Sequence, residues 1–382
     1  MTELSTESEL FVATARAFLD KTAAISAQRE LHAQGRSYDP AWWKRAAELG
    51  WAGLLVPEEL GGGSVSESGL HDLVAIAEAI GRTVGPGPLY PVSTVLAGLI
   101  DADNADALAG SIAALVAGEQ VATWAADEPG RGFRPQAPSA TATPTAKAGG
   151  TGYRLNGVKD RVEAGAQADL ILVGARTDDG ALRQFLICSD APGVTVRPQN
   201  CVDLVKQYAR IEFDDVEAEA VVGTAAQTAA LIDRQTQVGI ALACAESVGI
   251  LDAVLALTIE WCRDRYSFGR PLASYQALKH RLADMTMWLH AARAITAGAV
   301  DKIAARAPDA GMWASAAKSY LGEHAGLLVQ ECIQLHGGIG VTWEHDLHVY
   351  LRRITLYSNL LGTPDEHHRA IFTAANTTEP AA

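Results

Sequence analysis

Apolar residues recur at three- and four-residue spacing through Glu9-Leu10-Phe11-Val12-Ala13-Thr14-Ala15-Arg16-Ala17-Phe18-Leu19, a period that predicts an amphipathic helix. Asp39-Pro40 opens a second helix, with proline at its first position, where no N–H is missed. The turn Pro57-Glu58-Glu59-Leu60-Gly61-Gly62-Gly63 interrupts the pattern before another amphipathic stretch, Leu70 to Ile80. Then the period changes. Between about residues 121 and 222, Thr141–Thr145 and Tyr153–Asn156 alternate in character, and Leu170-Ile171-Leu172-Val173 and Phe185-Leu186-Ile187 are short apolar runs. Turn signals at Gly149-Gly150, Asp178-Asp179-Gly180 and Ala191-Pro192-Gly193 separate them, as in a compact β-barrel or sandwich. Helical spacing returns over Thr236–Arg263, Tyr275–Ala305 and Trp313–Leu335, stretches of the length found in antiparallel bundles. The pattern predicts a multidomain α+β chain. An N-terminal helical domain covers 1–120, a middle β-domain 121–222 and a C-terminal four-helix bundle 223–382.

Composition narrows the class. Hydrophobic residues make up 48% and charged residues 20% of the 382 positions, which is ordinary for a globular chain with a large core. No uninterrupted apolar run approaches the ~18 residues of a bilayer span. Met1-Thr2-Glu3-Leu4-Ser5 lacks the basic patch and apolar core of a secretory signal, so a cytoplasmic location is expected. Five scattered cysteines (Cys188, Cys201, Cys244, Cys262, Cys332) contain no CxxC pair, which predicts free thiols rather than disulfides or a zinc site. The formal net charge of −14 makes nucleic acid and anionic membranes poor partners.

Two segments carry candidate chemistry. Arg265-Tyr266-Ser267-Phe268-Gly269-Arg270-Pro271-Leu272-Ala273-Ser274-Tyr275-Gln276 joins two long helices. Phe268-Gly269 before Pro271 reads as a turn, Ser274 is placed to cap the next helix, and Arg265 suits a helix C-terminus. Gln334-Leu335-His336-Gly337-Gly338-Ile339-Gly340 puts three glycines in four positions, where the backbone can approach a ligand closely.

Together the two segments resemble the acyl-CoA dehydrogenase family in wording and separation. The first matches its Arg-x-x-Phe-Gly-x-Pro-Leu/Ile-x-x-Phe/Tyr-Gln block and the second its Gln-x-x-Gly-Gly-x-Gly block. Leu49-Gly50-Trp51-Ala52-Gly53-Leu54-Leu55-Val56-Pro57-Glu58-Glu59 resembles the family's N-terminal helical domain, and Tyr153-Arg154-Leu155-Asn156-Gly157-Val158-Lys159 its β-domain. The resemblance implies FAD as cofactor, an acyl-CoA substrate, and an electron-transfer flavoprotein or similar acceptor. By it, Arg265 contacts the FAD pyrophosphate, Phe268 packs near it, Gln334 and Gly338 line the adenosine half, and Thr363 supplies a further pyrophosphate contact. In the family the first four reach the flavin of a neighbouring subunit, so an oligomer is implied, either of like chains or a heterotetramer with a homologue. Both ligands are polyanions, and the chain's charge requires local cations to hold them.

The family reaction needs a carboxylate to remove the acyl α-proton. By resemblance, its two usual positions here are Leu361, before Gly362-Thr363, and Gly239, and neither accepts a proton. Glu246 lies seven residues after Gly239, almost two helical turns, with Ala, Cys, Val and Gly as sequence neighbours. A partly buried carboxylate in an apolar setting has a raised pKa, so Glu246 is a candidate base. A structural glutamate paired across the bundle and a pocket-lining residue are the alternatives. Asp365 and Glu366 are fallback bases, although Pro364 before them suits the start of a last helix. Adjacent His367 and His368 cannot share one helical face, which weakens a metal reading.

The β-domain also departs from the family's pattern. Asp127-Glu128-Pro129-Gly130-Arg131-Gly132-Phe133-Arg134 stands where the family reads Thr-Glu-Pro-x-x-Gly-Ser-Asp. Arg161 and Glu163 replace the Trp and Thr that contact the flavin ring. Two readings follow: an FAD-dependent acyl-CoA dehydrogenase that introduces an α,β double bond into a bulky acyl-CoA using Glu246, or a catalytically silent partner that lends part of a flavin site to a homologous chain. The Ala-Glu-x-Val-Gly segment resembles actinobacterial members acting on steroid side-chain CoA thioesters.

Overall fold

The computed structural model describes residues 6–147 and 150–377; Met1–Ser5 and the Gly149 turn signal lie outside them. The N-terminal region forms α1 (Thr6–Thr22), α2 (Ile25–Ala33), α3 (Pro40–Glu48), α4 (Gly69–Thr83), α5 (Leu89–Leu99) and α6 (Ala109–Val116). Asp39 caps α3 by accepting the Ala41 N–H at 3.0 Å, with Pro40 in the first turn. Helix α5 is buried at every position. Each of its Val and Leu side chains contributes about 1.5–3 kcal/mol of burial.

Strands β1 (Ala122–Ala125), β2 (Thr141–Lys147), β3 (Gly150–Glu163), β4 (Leu170–Thr177), β5 (Leu182–Cys188), β6 (Val194–Gln199), β7 (Tyr208–Glu217) and β8 (Ala220–Val222) follow. Their order is β6-β7-β3-β2-β4-β5-β8, with β1 parallel to β4. Only Thr141–Arg176 and Ala142–Thr177 join β2 to β4, so the sheet folds about a narrow seam. Leu155 and Ile211 from one side and Val173 and Phe185 from the other share a separate apolar core. The middle region is therefore a sheet layer with its own core, without crossover helices.

The C-terminal region comprises α7 (Thr228–Asp264), α8 (Gln276–Ala304), α9 (Ala310–His336), α10 (Leu347–Asn359) and α11 (Pro364–Thr377). Helices α7 to α10 pack together and α11 lies on α9. Helix α7 is long and apolar enough to cross a membrane, but 78% of that stretch is buried inside the protein, as in a core helix. It approaches α4 closely: a Cβ on Gly81 would come within 2.0 Å of the Glu246 carbonyl, and one on Gly249 within 2.0 Å of the Glu78 carbonyl. Only glycine permits that crossing. The expected Ser274 cap is corrected, since Ser274 Oγ donates to Pro271 O and Tyr275 precedes α8 without a side-chain cap. All five cysteines are free thiols.

Candidate functional site

Four of the expected cofactor contacts gather at one end of the bundle. A two-residue ladder, β9 (Tyr266–Ser267) with β10 (Arg270–Pro271), closes through Phe268 at φ 50° and Gly269 at φ 79°. Phe268 is 97% exposed. The Arg265 guanidinium lies over the Trp261 ring at 5.8 Å, and that ring stacks on His336 at 5.1 Å. Trp261 thereby links the hairpin to the end of α9, where Gln334 and Gly338 are exposed. Gly337, at φ 67°, turns the chain there.

Thr363 is elsewhere. It precedes α11 beside Leu361, and a Cβ on Gly239 would meet Leu361 Cδ1 at 2.9 Å and the Tyr90 hydroxyl at 3.0 Å. Leu361 and Gly239 thus lie against each other. Arg265 lies 26 residues further along α7 than Gly239, roughly 39 Å. The Arg265 hairpin and the Leu361 turn are therefore far apart in one chain.

Two cavities adjoin beside Leu361, and the larger, of about 310 Å³, lies between Arg161, Tyr208, Leu360 and Thr363. The smaller, between Leu361, Trp124, Arg161, Glu163 and Tyr208, measures about 30 Å³, the share of one water molecule in the liquid. Phe133 stands edge-on to Trp124 at 6.1 Å and lines this cavity. Arg161, at φ 51°, pairs with Asp127 at 3.3 Å. Glu163 is bound by Lys206 at 2.6 Å and by the Tyr208 hydroxyl at 3.1 Å. The N–H and hydroxyl of Thr363, expected to face a pyrophosphate, both donate to Glu366, at 2.8 and 3.1 Å. Asp365 and Glu366 lie in the first turn of α11, Glu366 in a capping box. The exposed hairpin and glycine turn fit the phosphate and adenosine contacts that the resemblance implies.

Glu246 is 3% exposed, and its expected apolar surroundings are corrected. Its sequence neighbours pack on α4 and the bundle, while its carboxylate turns toward charges from other elements. Arg353 Nη1 donates to it at 3.0 Å, the Tyr357 hydroxyl donates to it, and Lys206 Nζ lies 3.9 Å away. Arg353, fully buried, also binds Asp203. Burial pushes the Asp203 carboxyl up, but Arg353 and the Val205 and Lys206 N–H groups hold it below the ordinary carboxylate range. Burial and the Glu246 charge drive the Tyr357 hydroxyl well above its usual value. Sequence reasoning missed Asp203, Lys206, Arg353 and Tyr357, because no local spacing joins a loop lysine to an arginine on α10.

The turn holding Leu361 is fastened by hydrogen bonds. Leu361 has φ 60°; its carbonyl lies 3.0 Å from His367 Nε2, and buried Lys318 donates to the Gly362 carbonyl at 2.9 Å. Burial lowers His367 to about 4 and Lys318 to about 8. His368 points away, 3.7 Å from Glu323, and no metal-ligating cluster occurs among the described residues.

Along the chain a helical region, a folded sheet and a helical bundle follow one another. Descriptions of the acyl-CoA dehydrogenase N-terminal, middle and C-terminal domains match residues 5–107, 123–216 and 228–375, and the chain belongs to that family, whose cofactor is FAD. Acyl-CoA dehydrogenase IpdE2 of Mycobacterium tuberculosis is 30% identical over 361 residues, 94% of each chain. The Tcur3481–Tcur3483 steroid ACAD superposes with a TM-score of 0.86 at 26% identity, covering 98% of this chain and 99% of that one. The ChsE4–ChsE5 complex from Mycobacterium tuberculosis gives 0.86 at 25%, covering 99% of each.

Proposed function

We propose that this chain is the non-abstracting subunit of a heteromeric acyl-CoA dehydrogenase and lends its hairpin to a flavin held by a homologous partner. The observation that supports the reading is the state of Leu361, Gly239 and Glu246, with the fallback Asp365 and Glu366 in the first turn of α11 and Glu366 engaged by Thr363. Leu361 and Gly239 are apolar and touch, while Glu246 is ion-paired to Arg353 and held by Tyr357. Protonating Glu246 would remove one of the two carboxylates, with Asp203, that balance the buried Arg353 guanidinium, which opposes use as a base.

Within the assembly, Arg265 supplies a charge-assisted contact to the FAD pyrophosphate, Phe268 covers it, and Gln334 and the Gly338 backbone hold the adenosine half. FAD supplies hydride acceptance; the partner supplies the base. The substrate is a bulky acyl-CoA, a class supported by the likeness to a steroid ACAD, and an electron-transfer flavoprotein or similar acceptor reoxidises the flavin in the cytoplasm. The printed composition of the ChsE4–ChsE5 complex supports an assembly of unlike chains.

Visible absorbance of the chain purified alone and with a co-encoded homologue tests the proposal. Little flavin alone and retained, acyl-CoA-reducible flavin in the complex are expected. A chain that alone retains FAD and reduces it with acyl-CoA restores the reading in which Glu246 is the base.

A further inference from the structure

Where the start of α4 meets the end of α8, a serine, a histidine and an aspartate stand in line. Ser68 Oγ lies 2.6 Å from His71 Nδ1, and His71 Nε2 lies 2.8 Å from Asp301 Oδ1. A carboxylate only accepts, so the neutral imidazole carries its proton on Nε2 and leaves Nδ1 to accept the Ser68 hydroxyl. Ser68 directly precedes α4, yet it makes no side-chain cap, and its hydroxyl is engaged by His71 instead. The backbone around it is fastened. Buried Asp72 accepts the Val65 and Ser66 N–H groups at 2.7 and 2.8 Å, and the Ser66 hydroxyl accepts the Ser68 N–H at 3.2 Å. A Cβ on Gly69 would come within 1.8 Å of the Leu54 carbonyl, so glycine must follow the serine. The N–H groups of Gly69 and Leu70, the first two of α4, have no partner among the described residues.

We propose that Ser68, His71 and Asp301 form a nucleophilic triad that gives this chain a second activity, the hydrolysis of small uncharged acyl esters. Ser68 and His71 are its catalytic residues, and Asp301 is a positioning residue that fixes the imidazole. In the first step Ser68 Oγ bonds to the ester carbonyl carbon while the hydroxyl proton passes to His71 Nδ1. Negative charge develops on the carbonyl oxygen. The Gly69 N–H, from the residue after the nucleophile, and the Leu70 N–H are the donors available to it, at the positive end of α4. The bond to the leaving oxygen then breaks, and the alcohol departs with the proton from His71. Water, giving a proton to His71, attacks the acyl-Ser68 ester; the bond to Oγ breaks, the acid leaves and the serine regains its proton. No oxidant or reductant enters. Ser68 and His71 are half-buried and Asp301 and Glu67 exposed, so the site lies at the surface and favours a small acyl group. The net charge of −14, with Glu67 and Asp301 nearby, favours an uncharged ester over a polyanionic thioester. The proposal does not rest on the partner-subunit reading.

p-Nitrophenyl acetate tests the proposal on the full chain, by release of p-nitrophenolate and by mass spectrometry of the peptide that holds Ser68. Protein-dependent hydrolysis and an acetyl group on Ser68 are expected. Ser68→Ala and His71→Gln should each abolish that acetyl-serine or its formation and lower the rate at least ~10-fold. Asp301→Asn should lower kcat at least ~10-fold with little change in KM, and Asp301→Glu, which keeps a carboxylate acceptor, should recover most of the loss. Thermal melts establish that each variant is folded. A histidine and an aspartate that merely tie α4 to α8 shift the melt and leave kcat alone. Acetylation confined to lysines, or a rate unaltered by Ser68→Ala or His71→Gln, overturns the proposal. A kcat unaltered by Asp301→Asn overturns the triad by removing its third member.

Discussion

Arg353 and Glu246, 107 residues apart, meet at 3.0 Å in the interior, with the guanidinium fully buried. The pair joins α10 to α7, and through Asp203, Lys206 and Glu163 it reaches the middle sheet. Three carboxylates share two cations there, with hydroxyl donors from Tyr208 and Tyr357. Such a cluster is costly to desolvate and costlier to break than to keep whole.

Arg353→Met should therefore destabilise the fold by about 3–5 kcal/mol, because Asp203 and Glu246 lose their buried counter-ion. Urea denaturation of the variant and parent measures it. A change below ~1 kcal/mol would mean that the ion pair adds nothing net to stability.

Glu246→Gln keeps a hydrogen-bond acceptor for Tyr357 but removes the charge facing Arg353. Stability should fall by about 1–3 kcal/mol. Flavin reduction by acyl-CoA in the assembled complex should stay within ~10-fold of the parent, since removing a true general base typically costs ~100-fold or more. Stopped-flow absorbance separates the two outcomes.

Arg265→Ala should leave the chain folded, because Arg265 is exposed and its guanidinium lies 5.8 Å from the centre of the Trp261 ring. Loss of a charge-assisted phosphate contact should weaken FAD retention by the complex by about 1.5–3 kcal/mol, or roughly 10- to 150-fold in Kd. Equilibrium dialysis reads the change, and unaltered retention rejects the role given to the hairpin.

His367 gives a pH signature. Its folded pKa of about 4 lies below the ordinary 6.5, so between those values the unfolded chain binds a proton that the folded chain does not. Its contribution is present above pH 6.5 and is lost as pH falls toward 4, about 3 kcal/mol in full. His367→Gln should flatten the fall of Tm between pH 7 and 5, apart from contributions of other groups. An unchanged slope would assign the acid sensitivity elsewhere.

Much of the architecture was legible because apolar spacing is a local property. Asp39-Pro40 announced α3, the long three-to-four period announced α7 to α9, and the short runs at Leu170 and Phe185 became β4 and β5. Family resemblance located Arg265, Phe268, Gln334 and Gly338, which the structure gathers at one bundle end. The Ser274 cap failed because its hydroxyl found the Pro271 carbonyl first, a competition of local geometry that residue type does not decide.

The sequence by itself determined the order of helices and strands and the free state of the cysteines, since each depends on identity or near-neighbour spacing. Only the tertiary structure decided what surrounds Glu246. Its helix neighbours are Ala, Cys, Val and Gly, yet its carboxylate is governed by Arg353, Tyr357 and Lys206 from elsewhere in the chain. Electrostatics acts through space, and charges distant along the chain come within a few ångströms only after folding.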